Sequence, residues 1–474
     1  MYQVVIGLEV HCELSTKSKN FSSAPNFYTN VANSNVAAID LGLPGILPRI
    51  NKEACRKSLK LALALNCQLP DQIMFDRKNY FYADLPKGFQ ITQVKKPMGL
   101  GGYLDFYVGD RIKRANIHQL HLEEDTASLE HGSNYSLIDY NRSGVPLVEI
   151  VSEPCLYSME EAVAFLEALR DLILYCEASE ARTDKGQMRC DVNVSLKEKD
   201  SAELGTKVEV KNLNSMTSIR AAIEYEIKRQ TELLEKGEKI IQETRRVGDD
   251  LKTYSMRDKV DAVDYKYYVE PNLPPIKITD GFLEEIKQEL PQLQFQRIEK
   301  YTKEYGVALY DAVIIAKEKN VADYYESALK HYFNPIKLAK WVSTVVLGSL
   351  NKLEISIEDY FISSEMLAKV VEMIEAGRLS ELHAKNIIYE ANEKKISPVD
   401  LIEEKGIKQI TDQSVLLELV LEILEKNPKQ IEDYFNGKDY VANYFVGQVM
   451  IKTDKQANPK MTLDIVKEEL EKRR

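Results

Sequence analysis

Ile117-His118-Gln119-Leu120-His121-Leu122-Glu123-Glu124-Asp125 alternates apolar with polar residues and then runs into three carboxylates. Leu120 and Leu122 fall on one side of an extended chain, with Gln119, His121 and Glu123 on the other. That is the period-two signature of a half-buried strand. Three adjacent like charges are costly unless water, a cation or basic groups offset them. Taken alone, the acidic run reads as a solvated turn after an edge strand. Its meaning depends on what the other strands bring beside it.

The first strand, Val4 to Leu14, places Val4, Ile6, Leu8, Val10, Cys12 and Leu14 on one face. Gly7, Glu9, His11 and Glu13 take the other. In Met188 to Leu196, Arg189, Asp191, Asn193 and Ser195 form the polar face. From Lys207 to Lys211, Val208 and Val210 point inward while Lys207, Glu209 and Lys211 share the outer side. If these strands share a sheet, carboxylates and imidazole converge beside lysines. Carboxylate-rich oxygen ligands favour Mg²⁺ or Mn²⁺, and one histidine excludes neither. Lysines beside such an ion suit ATP phosphates and phosphoryl transfer. The chain has no GxxxxGK[ST] loop, kinase-type glycine loop or GxSxG elbow, so P-loop, kinase and α/β-hydrolase chemistry do not apply.

Helix signals surround these strands. Asn51 caps a helix to about Leu65, with Asn66 as its stop. Ser158 and Glu161 form a capping box before a helix that buries Ala162, Phe165, Leu166, Leu169, Ile173 and Cys176. A further amphipathic helix runs from about Ser218 to Lys236 and stops at Gly237. Between them, Phe75 to Gly88 interleaves basic and aromatic residues, a mixture suited to phosphate contact and to base or sugar stacking. The plainer reading of that stretch is a surface hairpin with amphipathic tyrosines. From about Phe282 onward the pattern is helical, with Pro291 and Lys405-Gly406 as boundaries.

The fold expected is therefore α+β: a sheet-based domain over 1–290, an all-helical domain over 291–405 and a small helical tail over 406–474. Lysines of the tail, among them Lys438, Lys452, Lys455 and Lys460, suit contact with RNA phosphate. The chain has 474 residues, 44% hydrophobic and 29% charged, as a globular protein of more than one domain would. A net charge of −11 excludes a wholly basic nucleic-acid-binding surface but not a local patch. Six scattered cysteines without a CxxC pair point to reduced thiols in a cytoplasm. No signal peptide or membrane span is evident.

Several segments together carry a resemblance. They are Ile6-Gly7-Leu8-Glu9-Val10-His11, Phe75-Asp76-Arg77-Lys78-Asn79-Tyr80-Phe81-Tyr82, His121-Leu122-Glu123-Glu124-Asp125 and Asp139-Tyr140-Asn141-Arg142. Met188-Arg189-Cys190-Asp191, Glu209-Val210-Lys211-Asn212-Leu213-Asn214-Ser215, Gly447-Gln448-Val449-Met450 and Ala457-Asn458-Pro459 continue it in order. The chain resembles the B subunit of aspartyl/glutamyl-tRNA amidotransferase. That resemblance implies a cradle-like catalytic domain, a helical domain and a tRNA-binding tail. It also implies a heterotrimer with an amidase (glutaminase) subunit and a small third subunit, acting on mischarged tRNA.

The implied activity is that of a ligase forming carbon–nitrogen bonds with glutamine as amido donor. ATP would phosphorylate the side-chain carboxylate of Glu-tRNA(Gln) or Asp-tRNA(Asn), and ammonia from the partner would then displace phosphate. The resemblance suggests Glu9, His11, Glu123 and Glu124 as ligands of Mg²⁺ (or Mn²⁺), and strand position adds Asp191. Lys78, Lys207 and Lys211 are candidates for phosphate contact in catalysis, with Lys78, Lys211 and Asn214 set against the nucleotide.

The chain also departs from the family pattern. Ser22, Ala24, Ala37 and Asp40 stand where some members carry zinc-binding cysteines, so no zinc is expected. Gln119 replaces a common Arg, Ala127-Ser128 a frequent Gly-Lys, Ile451 a Lys and Lys455 a Gly. Tyr267-Tyr268-Val269-Glu270-Pro271 deviates where Pro commonly precedes Glu. The missing lysines motivate one alternative, a non-catalytic tRNA-binding subunit. A stand-alone metal-dependent phosphotransferase is another, but it leaves the helical tail without purpose.

Overall fold

In the computed structural model, which describes residues 2–258, 265–407, 410, 412–453 and 456–473, the first strand lies inside a nine-stranded sheet. The strands are, in order, Tyr2–Glu13 (β1), Gln72–Ile73 (β2), Asp76–Asn79 (β3), Phe89–Thr92 (β4) and Gly99–Leu100 (β5). Tyr103–Val108 (β6), Arg111–Glu124 (β7), Ser128–His131 (β8), Ser136–Asp139 (β9) and Pro146–Ser152 (β10) follow. The last are Met188–Glu198 (β11), Val208–Leu213 (β12), Glu243–Val247 (β13), Thr253–Asp258 (β14), Tyr268–Val269 (β15) and Ile276–Lys277 (β16). The large sheet runs β14-β13-β12-β11-β1-β10-β7-β5, with β6 also on β7. All its pairings are antiparallel except β12 with β13.

Alternation along β1 does what the sequence implies. Ile6, Leu8, Val10 and Cys12 are buried in one core with Ile150 and Val148 of β10 and Leu120 and Leu122 of β7. The same core takes residues of four helices, Lys52–Ala64 (α1), Met159–Tyr175 (α2), Met216–Glu235 (α3) and, through Ile286, Asp280–Gln288 (α4). Asn51 caps α1, accepting from the Glu53 and Ala54 amides, and Asn66 takes the left-handed conformation (φ 57°) that ends it. Ser158 caps α2 through the Glu161 amide, but Glu161 accepts from the amide of Tyr157, one residue earlier than an ordinary box. α3 begins before Ser218 because the Ser215 hydroxyl caps the Ser218 amide.

The acidic run at the end of β7 is not solvated. His121, Glu123, Glu124 and Asp125 are all buried, with Asp125 only 3% exposed. β7 is no edge strand, being paired with β10 on one side and with β5 and β6 on the other. The β3–β4 hairpin covers its acidic end: Thr92 Oγ1 donates to Glu123, and the Ile91 amide and Gln90 Nε2 donate to Glu124. The expectation of a surface turn fails because non-local hydrogen bonds replace water at these groups.

The chain divides into two compact units, Met1–Phe295 and Gln296–Arg474. All named strands fall in the first. The second is helical, and Leu416, Val420, Phe445, Val449, Ile465 and Val466 belong to one of its cores. Asn458 caps the helix Pro459–Glu471, with Pro459 at its first position. Lys455 lies outside the described residues. Among the described residues no helix is long and apolar enough to cross a membrane.

Asn51 does more than cap. Its Nδ2 donates to the carbonyls of Ser18 (2.9 Å) and Lys19 (3.2 Å), tying the long loop after β1 to α1. Asn51→Ala is expected to cost about 2 kcal/mol of local stability. Hydrogen exchange of the first-turn α1 amides in the full chain reads this directly, and unchanged protection would refute it.

Candidate active site

Register arranges the polar face of the sheet in rows. His11 of β1 pairs with Arg189 of β11 on one side and Glu149 of β10 on the other, and Glu149 pairs with His121 of β7. One row along, Glu9 pairs with Asp191, and beyond it Asn193 lies between Gly7 and Glu209. Two groups of ligating atoms result. His11, Glu123 and Glu149 form the first and Glu9, Asp191 and Glu209 the second, each with its atoms within 4.8 Å of one another.

In the first group His11 Nδ1 stands 3.9 Å from Glu123 and 3.8 Å from Glu149, too far for hydrogen bonds. The atom is buried and has no hydrogen-bond partner. Such an orphan, aimed between two carboxylates, fits a divalent cation bound through nitrogen and oxygen. On the far side His121 Nε2 lies 3.3 Å from Glu123 and 3.2 Å from Glu149. Burial alone would lower the His121 pKa, but the Glu149 and Glu123 carboxylates outweigh it and hold it up at about 10. Burial likewise pushes Glu149 up, and the His121 charge overrides it to leave Glu149 well below the usual carboxylate range.

The second group is partly offset from within. Lys211 Nζ is 2.8 Å from Asp191 and 3.0 Å from Glu209, and Asn193 Nδ2 donates to Glu9 at 2.9 Å. Burial would lower the Lys211 pKa, but Asp191 and Glu209 raise it well above normal.

The structure does not bring every expected residue here. Glu124 follows Glu123 on a strand and so has the parity of Leu122, facing away from the cluster. It pairs instead with Lys87 at 2.5 Å, and burial still raises its pKa despite that charge. Asp125 is held bidentately by Arg189 at 2.8 and 3.0 Å; burial opposes its ionisation, and the guanidinium keeps its pKa low. Lys78 is half-buried on β3 and its charge helps lower Glu149. Lys207 is exposed just before β12 and Asn214 just after it. Asp40, at one of the positions compared with zinc-binding cysteines, accepts from Ser22 Oγ and the Ala37 amide and pairs with the fully buried Lys19 at 3.2 Å.

Glu149 and Glu209 are not among the ligands expected from sequence. Glu149 sits alone in Leu147-Val148-Glu149-Ile150-Val151, and a single carboxylate inside so apolar a strand is the signal that marks it. Glu209 shares the outer face of its strand with Lys207 and Lys211, and that pattern points to the lysines before the carboxylate. Beside the rows, a cavity of about 550 Å³ is lined by Glu13, Tyr28, Ser128, Asn141, Arg142 and Lys185, among others.

The family described as "GatB/GatE catalytic domain" matches residues 4–284, and a second, "GatB domain", matches 323–470. The chain belongs to the GatB/GatE family. A relative from Persephonella marina, named as the B subunit of aspartyl/glutamyl-tRNA(Asn/Gln) amidotransferase, is 43% identical over 98% of this chain and 99% of its own length. Proteins of the same name from Geobacillus thermodenitrificans and Bacillus velezensis are 42% and 43% identical, with complete coverage of both chains. The motif resemblance thus extends to whole GatB chains, and the sheet-then-helix order it implies is the one observed.

The His121 pair makes stability depend on pH. A group whose pKa rises on folding contributes stability that is complete below its unfolded value and is lost as pH rises through the folded one. For His121 the window runs from about 6.5 to about 10. Metal-stripped protein should therefore lose stability between about pH 7 and about pH 10, and His121→Asn should flatten that decline in denaturant titrations. Equal slopes for the two proteins would show that His121 is not the source.

Proposed function

We propose that this chain is the B subunit of a glutamine-dependent tRNA amidotransferase. It converts Glu-tRNA(Gln), Asp-tRNA(Asn) or both to the amides, in a heterotrimer with a glutaminase and a small subunit. The observation that carries the reading is the buried, unpartnered His11 Nδ1 between Glu123 and Glu149. The full-length likeness to proteins named for this reaction supports it.

A carboxylate is a poor electrophile because its charge opposes a nucleophile and oxide is no leaving group. In the proposed reaction a carboxylate oxygen of the substrate side chain takes the γ-phosphoryl group of ATP and ADP departs. Ammonia then adds at the acyl carbon, phosphate leaves and the amide remains. His11, Glu123 and Glu149 would hold Mg²⁺, which when bound offsets charge on the phosphate oxygens. Glu9, Asp191 and Glu209 are the second carboxylate set, already partly offset by Lys211. His121 keeps Glu149 ionised and holds Glu123 and Glu149 in orientation. Lys78, on the strand covering this face, would meet phosphate charge.

The tail is assigned tRNA contact, with limits set by its own ion pairs. Lys438 is bound to Asp433 at 2.8 Å and Lys452 to Glu422. Such exposed pairs contribute little and yield readily to phosphate.

Reconstitution with the partner subunits, ATP, Mg²⁺ and Glu-tRNA(Gln) tests the reading. Glu149→Gln should lower Gln-tRNA formation about 100-fold or more while the complex still assembles. Full amidation by that variant would defeat the site assignment. A wild-type complex that binds tRNA without consuming ATP would defeat the reaction.

A further inference from the structure

A tyrosine cluster on the rim of the polar face has no part in the carboxylate groups or their counter-charges. Tyr80 and Tyr265 meet edge to face at 5.6 Å, and Tyr265 and Tyr267 at 6.2 Å. Lys78 Nζ lies 4.8 Å from the Tyr265 ring and 5.7 Å from that of Tyr80. The segment is stitched to β3: the Asn79 amide donates to the Tyr265 carbonyl at 2.9 Å, Asn79 Nδ2 donates to the Lys266 carbonyl, and Tyr268 pairs with Arg77. Tyr267 is 45% exposed. Lys78 pairs across the hairpin with Gln90, whose Nε2 donates to the Glu124 carbonyl at 2.8 Å, which sets the cluster beside the acidic end of β7.

Amphipathic tyrosines often just cover a hairpin. Two features point further. Two rings flank one lysine and a third packs on the nearer of them, the lysine's ammonium is not consumed by a carboxylate contact among the described residues, and the group sits on the hairpin that covers the acidic end of β7. Aromatic faces beside a lysine are the elements that hold a nucleoside and its phosphate. Both proposed substrates present the same one. ATP is an adenosine phosphate, and the charged end of a tRNA is an adenosine whose ribose bears the amino acid.

We propose that Tyr80, Tyr265 and Tyr267 form a stacking subsite for an adenosine, with Lys78 meeting its phosphate. The proposal rests on the amidotransferase reading and names a ligand contact within it. The rings supply area that any base can cover, while Lys78 sets polarity by drawing the phosphate toward Glu149's side of the strand.

The test compares Tyr265→Leu/Tyr267→Leu with Tyr265→Phe/Tyr267→Phe in the reconstituted complex, measuring KM for ATP and for Glu-tRNA separately. The leucine pair should raise one KM about tenfold or more, leave the other unchanged and be rescued by the phenylalanine pair. A rise for ATP assigns the subsite to the nucleotide, and a rise for Glu-tRNA assigns it to the acceptor end. Leucine and phenylalanine pairs that match each other, or an equal rise in both KM values, would overturn the subsite. A wild-type complex that makes no amidated tRNA would strike the functional reading instead.

Discussion

The register of β1 against its two neighbours is the constraint on which the site depends. His11 lies across from Arg189 and Glu149 only because β1 pairs with β11 and β10 in one alignment. A slip of one residue would turn every polar side chain of β1 into the core and every apolar one out of it. The unbroken alternation Ile6, Leu8, Val10, Cys12 resists that slip, since each of these side chains is essentially fully buried. The apolar face therefore fixes the geometry of the polar one. Glu123 and Glu124 show the same rule at work, because adjacent carboxylates on one strand are sent to opposite sides and into different partnerships.

Burying so many carboxylates requires compensation at each. Asp125 has Arg189, Glu124 has Lys87, Asp191 and Glu209 share Lys211, and Glu149 has His121. Glu13, next along the β1 face after His11, is compensated only in part. Burial and the nearby Asp125 push its pKa up to about 7, against the pull of Arg189. The face is thus mostly matched pairs, with Glu13 only partly compensated and His11 Nδ1 and Asn193 Oδ1 among the buried atoms left without a hydrogen-bond partner.

Much of this was legible. Strand periodicity identified β1, β7, β11 and β12, and caps at Asn51 and Ser158 located the helices, because these signals are local in sequence. Strand order was not, since β1 is flanked by strands that come more than 130 residues later. That is why Glu149 was missed: on β10 it reads as one polar residue in an apolar strand, and only pairing shows that it lies between His11 and His121. Burial of the acidic end of β7 was hidden for the same reason, because the hairpin that covers it is a separate segment whose docking leaves no periodicity.

The two carboxylate groups differ in what a cation would have to displace. At the first, the His11 nitrogen has no hydrogen-bond partner, and the positive charge opposite, on His121, sits on the far side of the carboxylates. At the second, Lys211 already occupies the space between Asp191 and Glu209, and its raised pKa shows how strongly the pair holds that proton. A divalent ion entering there must replace an ammonium, whereas one entering the first site must share Glu123 and Glu149 with the His121 imidazolium. Coulomb attraction alone would rank the sites by carboxylate count and favour the second. Counting the resident cations leaves that charge ranking in place, and what sets the His11–Glu123–Glu149 group apart is a histidine nitrogen that no hydrogen bond occupies.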